Sequence, residues 1–213
     1  MSSLAPNKCT ASLLKSSKLL YCFSDPNYSM NTLIKNTLLV IAAFALVCLG
    51  TIVQFPLPGT SIAQTAQTIA ILCAGAILGP KLGSLAVGLY LTSGALGLPV
   101  FSEGGAGIEH LIGISGGYLL GFLFAACLLG VCKNAGFLKK NIPSFACFLM
   151  GHALILTCGW AWMSTQVGMT NAYLNGVAPF YLGSLGKSLI ALLIVKSAAK
   201  TRALVKRKRL ASN

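Results

Sequence analysis

The ionisable side chains of this 213-residue chain are few, and one of them has unusual surroundings. Lys187 lies inside the apolar stretch Val177–Val195, in which no other residue is charged. A charge in the hydrocarbon layer of a membrane costs at least about 2.5–3.5 kcal/mol, so such a residue usually faces a cavity, a partner or a ligand. Because an ammonium group can only donate hydrogen bonds, its natural ligand is an anion such as a carboxylate. We therefore predict that Lys187 faces a ligand or a cavity rather than extending along the helix to the membrane surface.

The chain has few side chains, in contrast, that could serve acid–base catalysis or bind a metal ion. The acidic residues number 3 and the histidines 2: Asp25, Glu103, Glu109, His110 and His152. No pair of carboxylates falls within an apolar segment, and the 8 cysteines show no CxxC or Cys/His metal spacing. We predict that the chain is not an enzyme and has no catalytic residue and no metal site.

A nucleotide site is also excluded by the sequence. Gly186-Lys187-Ser188 has the form of the end of a phosphate-binding loop. Tyr181, however, stands where the first glycine of that motif is required. The chain is therefore predicted to bind no cofactor itself, ATP included.

The composition explains why polar chemistry is scarce, because 55% of the residues are hydrophobic and only 9% are charged. A soluble domain carries about 25% charged residues. Apolar windows of the length that a membrane-spanning helix needs recur along the chain. They are Thr37–Val53, Ile62–Leu78, Leu82–Leu98, Gly113–Val131, Ser144–Met163 and Val177–Val195. Since they show no alternation of polarity, a β-barrel is disfavoured. We predict an all-α membrane protein with six transmembrane helices.

The positions of the basic residues predict the orientation of these helices. The chain has 16 Lys and Arg against 3 Asp and Glu, a net charge of +13. If the N-terminus is cytoplasmic, every basic residue except Lys187 falls on the cytoplasmic side. Both termini are thus predicted to be cytoplasmic, and the basic cluster Lys206–Arg209 is interpreted as a contact with the lipid bilayer rather than with nucleic acid.

Three regions follow from this pattern. Residues 1–29 form a polar N-terminal extension that we expect to be dispensable, residues 30–200 form the six-helix transmembrane domain, and residues 201–213 form a basic cytoplasmic tail. Between the third and fourth apolar segments, the glycines of Gly94–Gly107 and Pro99 favour a compact cap over a pocket rather than a plain connection.

Four stretches of the sequence resemble a known family. They are Thr65-Ala66-Gln67-Thr68 with Leu78-Gly79-Pro80, then Gly97–Ser102, then Gly116–Phe122, and finally Pro179–Lys187. In order and spacing, from Leu38 to Lys187, the chain resembles the BioY family, the biotin-transporter substrate-binding subunits of energy-coupling-factor importers.

The resemblance implies a six-helix subunit in the plasma membrane of a bacterium that captures biotin from outside and imports it. It also implies partners, namely a transmembrane coupling protein and ABC-type ATPases, which would use the ATP. The alternatives are an importer subunit for a related small carboxylate vitamin or precursor, and a passive membrane channel.

The resemblance places substrate-binding positions on this chain. Lys187 matches the family lysine of the sixth span, and Gln67 and Tyr118 fall on motif positions. Ser184 replaces an aspartate that the family usually has three residues before the lysine, and Glu103 stands where a small residue is expected. Biotin combines an apolar bicycle and chain with a ureido group and a carboxylate, so Lys187 could meet either the carboxylate or the ureido oxygen.

The predicted substrate-binding residues have distinct roles in this scheme. A pocket for such a ligand should be mostly apolar, with a few polar groups. Phe101 and Tyr118 are candidates for its apolar walls, and the Ser184 hydroxyl can donate or accept a hydrogen bond. The full predicted set is Lys187, Ser184, Tyr118, Gln67, Phe101 and Glu103.

Overall fold

The described part of the chain is almost entirely helical. The computed structural model describes residues 30–55 and 64–211, so the predicted polar extension 1–29 lies outside the described residues. The chain divides into two units, residues 1–37 and residues 38–213. The described part of the first unit is the beginning of one helix, and the fold below concerns the second unit.

The described helices are given in chain order. They are α1 (Met30–Ile52), α2 (Gln67–Leu78), α3 (Pro80–Ala95), α4 (Ile108–Ile112), α5 (Gly116–Asn134), α6 (Asn141–Val167), α7 (Met169–Gly176) and α8 (Tyr181–Ala211). Single 3-10 turns lie at Ser102–Gly104, Phe137–Lys139 and Ala178–Phe180. Between α1 and α2, the two-residue strands β1 (Gln54–Phe55) and β2 (Gln64–Thr65) pair antiparallel.

Within the described residues, four helical segments are long and apolar enough to cross a membrane. They are α1, α5, α6 and the run Met169–Val205, which joins α7 to most of α8. Many large apolar side chains on α1 and α8 are exposed, as for Leu182 at 83% and Leu38 at 61%. Since a soluble monomer rarely exposes apolar patches of more than a few hundred Å², these surfaces suit contact with lipid.

The second and third predicted spans form helices that are shorter than a bilayer requires. α2 has 12 residues and α3 has 16, which rise about 18 and 24 Å against a hydrocarbon core of about 30 Å. They are separated by Gly79, whose φ of 90° allows the chain to reverse direction. Pro80 is the first residue of the next helix. The second hydropathy window was too long because it began before Gln67, and the third because it included Leu96–Leu98, which follow the end of α3. A count of six spanning helices stays a prediction.

α5 lies at the centre of the bundle and packs against α2, α3 and α6. Its neighbours approach to backbone contact because the interface residues are small. A Cβ atom at Gly75 would overlap the backbone of Ala126, and one at Gly130 would overlap Pro80. A Cβ atom at Gly121 would lie 3.0 Å from the Cα of Ile155. Close approach of this kind replaces the hydrophobic effect as the source of packing energy between helices in lipid.

Basic residues from separate helices meet at one end of this bundle. The Lys133 Nζ donates to the Ile77 carbonyl at 2.7 Å, at the end of α2. The Lys196 Nζ donates to the carbonyls of Leu138 and Lys139 at 3.2 and 2.9 Å. We call this the basic end, and the opposite end, where residues 96–115 and 168–180 lie, the loop end. This grouping agrees with the charge pattern that predicted the cytoplasmic side.

Candidate ligand-binding site

A cavity of about 70 Å³ lies among α2, α5, α6 and α8 at the loop end of the bundle. Four of the six predicted substrate-binding residues line it, namely Lys187, Ser184, Tyr118 and Gln67. They come from three helices that are distant in sequence. The other walls are largely apolar and include Leu119, Phe122, Ile155, Leu156 and Phe180. The arrangement suits a small, mainly apolar ligand that carries a few polar groups.

Lys187 and Ser184 reach the cavity from the same face of α8, since residues three apart on a helix are neighbours. Lys187 is half-buried and makes no hydrogen bond or ion pair with any residue that the structure describes. The cavity lining contains no Asp or Glu. Among the described residues the ammonium group therefore has no counter-ion, and it is available to meet a ligand oxygen.

Tyr118 contributes its ring rather than its hydroxyl. The hydroxyl donates to the Gly176 carbonyl at 2.7 Å and so ties α5 to the end of α7. The ring lies against Gly159 of α6, where a Cβ atom would overlap it. Tyr118 is thus held from two sides, and its position in the cavity wall depends on two glycines.

Gln67 begins α2 and is only 1% exposed. Its side chain lies beside the Tyr90 hydroxyl, but its Nε2 makes no hydrogen bond of good geometry to residues 30–55 and 64–211. The Oγ1 of its neighbour Thr68, which also lines the cavity, is likewise buried and unpaired within these residues. Buried polar atoms are normally paired, and the exceptions often mark places where a ligand or water completes the bonding.

Phe101 and Glu103 do not line the cavity. Phe101 is 1% exposed; its ring stacks on His110 at 5.0 Å between centroids and meets Tyr90 edge-on at 5.4 Å. Gly94 makes room for this ring, which a Cβ atom there would overlap. Because His110 does line the cavity, Phe101 supports the wall from behind. Glu103 is exposed, with a left-handed φ of 60°. A binding role for either residue stays a prediction.

The glycine-rich segment folds as the compact cap that the sequence predicts. The Gly107 N–H donates to the Gly94 carbonyl at 2.7 Å, and the Phe101 N–H donates to the Gly105 carbonyl at 3.1 Å. These bonds close the segment onto the end of α3. The positive φ of Gly97, Gly104 and Gly107 permits the turns. The cap brings Ser102 to the cavity, and α4, which follows the cap, brings His110.

Sequence reasoning missed several residues that the structure brings to the cavity. Thr68, Ser102, His110, Ser115 and His152 all line it. Of these residues, His152 could most easily have been predicted from the sequence, because it is the one histidine within a predicted span. The others are short polar residues at helix ends or in the cap, where nothing in the local sequence distinguishes a cavity-facing side chain from a solvated one.

Comparison with known proteins decides the family. A sequence model of the BioY family matches residues 22–204. The chain belongs to the BioY family. The probable biotin transporter BioY of Pyrococcus horikoshii is 36% identical over 132 residues, which cover 62% of this chain and 77% of the relative. The probable biotin transporter BioY of Rickettsia prowazekii is 31% identical over 179 residues, covering 81% and 88%.

A solved structure shares the fold. It is a crystal structure of the S-component for biotin from an ECF-type ABC transporter, with a TM-score of 0.74 and 24% sequence identity. The match covers 81% of this chain and 94% of the solved one.

Membership of the family confirms the resemblance seen in the sequence. Together with the apolar helices, it makes the chain a membrane protein. The relatives are named as transporters, in agreement with the prediction that the chain is not an enzyme.

Proposed function

We propose that this membrane protein is the substrate-binding subunit of a biotin importer and that the cavity beside Lys187 receives one end of biotin. Its volume of about 70 Å³ is smaller than the ~300–1,000 Å³ of ordinary ligand pockets, so the cavity is proposed to widen as biotin enters. The observation that carries the proposal is an unneutralised ammonium group in a mostly apolar cavity, in a chain of the BioY family. Biotin is itself mostly apolar, with polar groups at its two ends. The names of the relatives support biotin as the ligand.

The binding residues proposed are those predicted from the sequence. Lys187 donates to an oxygen of the ligand, and Ser184 and Gln67 supply further polar contacts from the same cavity. The Tyr118 ring forms part of the apolar wall. Phe101 and Glu103 belong to the cap, and they are proposed to act when the cap is closed over a bound ligand.

For the topology we propose six membrane-embedded helices, with both termini in the cytoplasm and the cavity opening to the outside. The concentration of lysines at the basic end supports this orientation. Residues 30–200 form the substrate-binding domain, and the basic segment 201–213 meets the anionic lipid surface. α8 continues without a break to Ala211, so this segment begins as an extension of the last helix. Residues 1–29 are proposed to be dispensable.

The proposed partners are a transmembrane coupling protein and ABC-type ATPases in a bacterial plasma membrane. The chain has no complete phosphate-binding loop, since Tyr181 replaces its first glycine. Accumulation against a gradient therefore requires energy from other subunits. The solved protein of the same fold is described as a component of an ECF-type ABC transporter, which supports this assignment.

Biotin uptake in bacterial cells that lack their own biotin transporter tests the proposal. The chain is expressed with and without coupling proteins, and labelled biotin is followed at nanomolar and micromolar concentrations. Saturable uptake that competing biotin abolishes is expected. Saturable uptake of another carboxylate, with none of biotin, would replace the substrate but keep the class. Flux that never saturates and does not depend on ATP would favour the passive channel.

A further inference from the structure

His152 is a buried polar side chain of the cavity to which no role has been given. It lies on α6, is 4% exposed and lines the cavity. Its Nε2 is buried and has no hydrogen-bond partner in the described part of the chain. An imidazole nitrogen left unpaired in a cavity is a site at which a ligand can complete the bonding.

The opposite ring nitrogen decides what Nε2 can do. The His152 Nδ1 lies 3.2 Å from the Phe148 carbonyl oxygen and 3.0 Å from the Ser188 Oγ. The Ser188 hydroxyl can pair with Nδ1 in either direction, but a carbonyl oxygen can only accept a hydrogen bond, so a bond to Phe148 places the proton on Nδ1. The ring is neutral because a second buried cation in the cavity of Lys187 would be costly. Nε2 therefore presents a lone pair to the cavity and acts as an acceptor.

A hydrogen-bond acceptor at His152 Nε2 distinguishes the two polar ends of biotin, the carboxylate and the ureido ring. A carboxylate can only accept hydrogen bonds, so its oxygens would face the Nε2 lone pair without a proton between them. A cyclic urea carries N–H donors beside a carbonyl acceptor. Lys187, which only donates, and His152 Nε2, which only accepts, together match these two kinds of group.

Resting on the proposed function, we propose that His152 is a specificity-determining residue whose Nε2 accepts a hydrogen bond from a ureido N–H of biotin. The ureido ring then lies at the Lys187–His152 side of the cavity. Ser188 is a positioning residue, since its hydroxyl accepts from Nδ1 and helps to hold the tautomer. Carboxylates without an N–H group at this end are bound weakly.

A pair of substitutions separates the ligand contact from the structural one. His152→Asn keeps an amide near the place of Nδ1, within reach of Ser188 and Phe148, and removes Nε2. His152→Gln places an amide near Nε2 instead. Titration of the purified protein with biotin should show a Kd roughly 10- to 100-fold higher for His152→Asn and a partial recovery for His152→Gln. If His152→Asn binds biotin as tightly as the natural protein, the proposal is wrong.

A modified ligand identifies the group that His152 meets. Biotin methylated on both ureido nitrogens should bind the natural protein much more weakly than biotin. The Kd of the methylated ligand divided by the Kd of biotin should be about ten-fold smaller in His152→Asn than in the natural protein. Biotin methyl ester is the matched control, and its ratio should not change. The proposal is overturned if this Kd ratio for the methylated urea is the same in both proteins. It is also overturned if only the corresponding ratio for the methyl ester falls.

¹⁵N NMR of the histidine rings tests the same contact in the natural protein, without a substitution at His152. The chain has only 2 histidines, so selective ¹⁵N-histidine labelling gives two imidazole patterns, assigned with His110→Gln. The His152 ring should show the Nδ1–H tautomer, and its Nε2 signal should shift on saturation with biotin. An Nε2–H tautomer, or an Nε2 signal that biotin leaves in place, contradicts the proposal. Failure of the natural protein to bind biotin at all would instead overturn the proposed function.

Discussion

Replacing Lys187 with methionine is expected to weaken biotin binding and, at the same time, to stabilise the ligand-free protein. The ammonium group lines the cavity and has no hydrogen bond or ion pair to any described residue. It therefore contributes no contact to the free protein that the substitution could remove. Methionine keeps the length of the side chain and replaces its charge with an apolar end.

The two effects have magnitudes that can be worked from this environment. A hydrogen bond to a charged group contributes about 1.5–3 kcal/mol, so the Kd for biotin should rise about 10- to 150-fold. A charge at mid-membrane costs at least about 2.5–3.5 kcal/mol. Because Lys187 is half-buried beside a cavity, only part of this cost applies, and removing the charge should add about 1 kcal/mol to the free energy of unfolding.

Titration calorimetry in detergent measures the affinity, and thermal unfolding of the ligand-free protein measures the stability. Lys196→Met on the same helix is the matched control. Since Lys196 donates to the carbonyls of Leu138 and Lys139 at the basic end, its loss should lower the stability by about 1 kcal/mol and leave the affinity unchanged. Unchanged biotin affinity in Lys187→Met would refute the assigned contact. A less stable Lys187→Met would show that the lysine has a structural partner.

Three further substitutions test how the cavity is built. Gly159→Ala places a Cβ atom into the Tyr118 ring, so overpacking should cost about 1–3 kcal/mol of stability and biotin affinity should fall with it, as unfolding and titration would show. Tyr118→Phe removes the hydrogen bond to Gly176 and should cost about 1 kcal/mol of stability with little change in affinity; a large loss of affinity would mean that the hydroxyl meets the ligand. Phe101→Ala empties the space beside His110 and should cost about 3–5 kcal/mol, with faster proteolysis of the cap than in the natural protein.

Much of the fold was accessible from sequence because a membrane imposes a local rule. Any helix in lipid must carry a long apolar run, and in the described part of the chain four such helical segments lie where the hydropathy windows predicted them. The rule failed where apolar residues continue past the end of a helix. Leu96 and Leu98 extend the third window, but α3 ends at Ala95 and the chain turns at Gly97 into the cap. A window sums hydropathy and contains no information on the course of the backbone.

The cavity residues also divide into those that the sequence indicates and those that only the tertiary structure identifies. By itself the sequence determined that Lys187 is exceptional, since a lone cation in an apolar segment is costly whatever surrounds it. Only the tertiary structure decided which groups accompany it. Ser188 of α8 meets His152 of α6 at 3.0 Å, whereas Phe101 and Glu103 of the cap do not line the cavity. The rotation of each helix and the path of each loop decide which side chains converge, and both result from packing between segments that are distant in sequence.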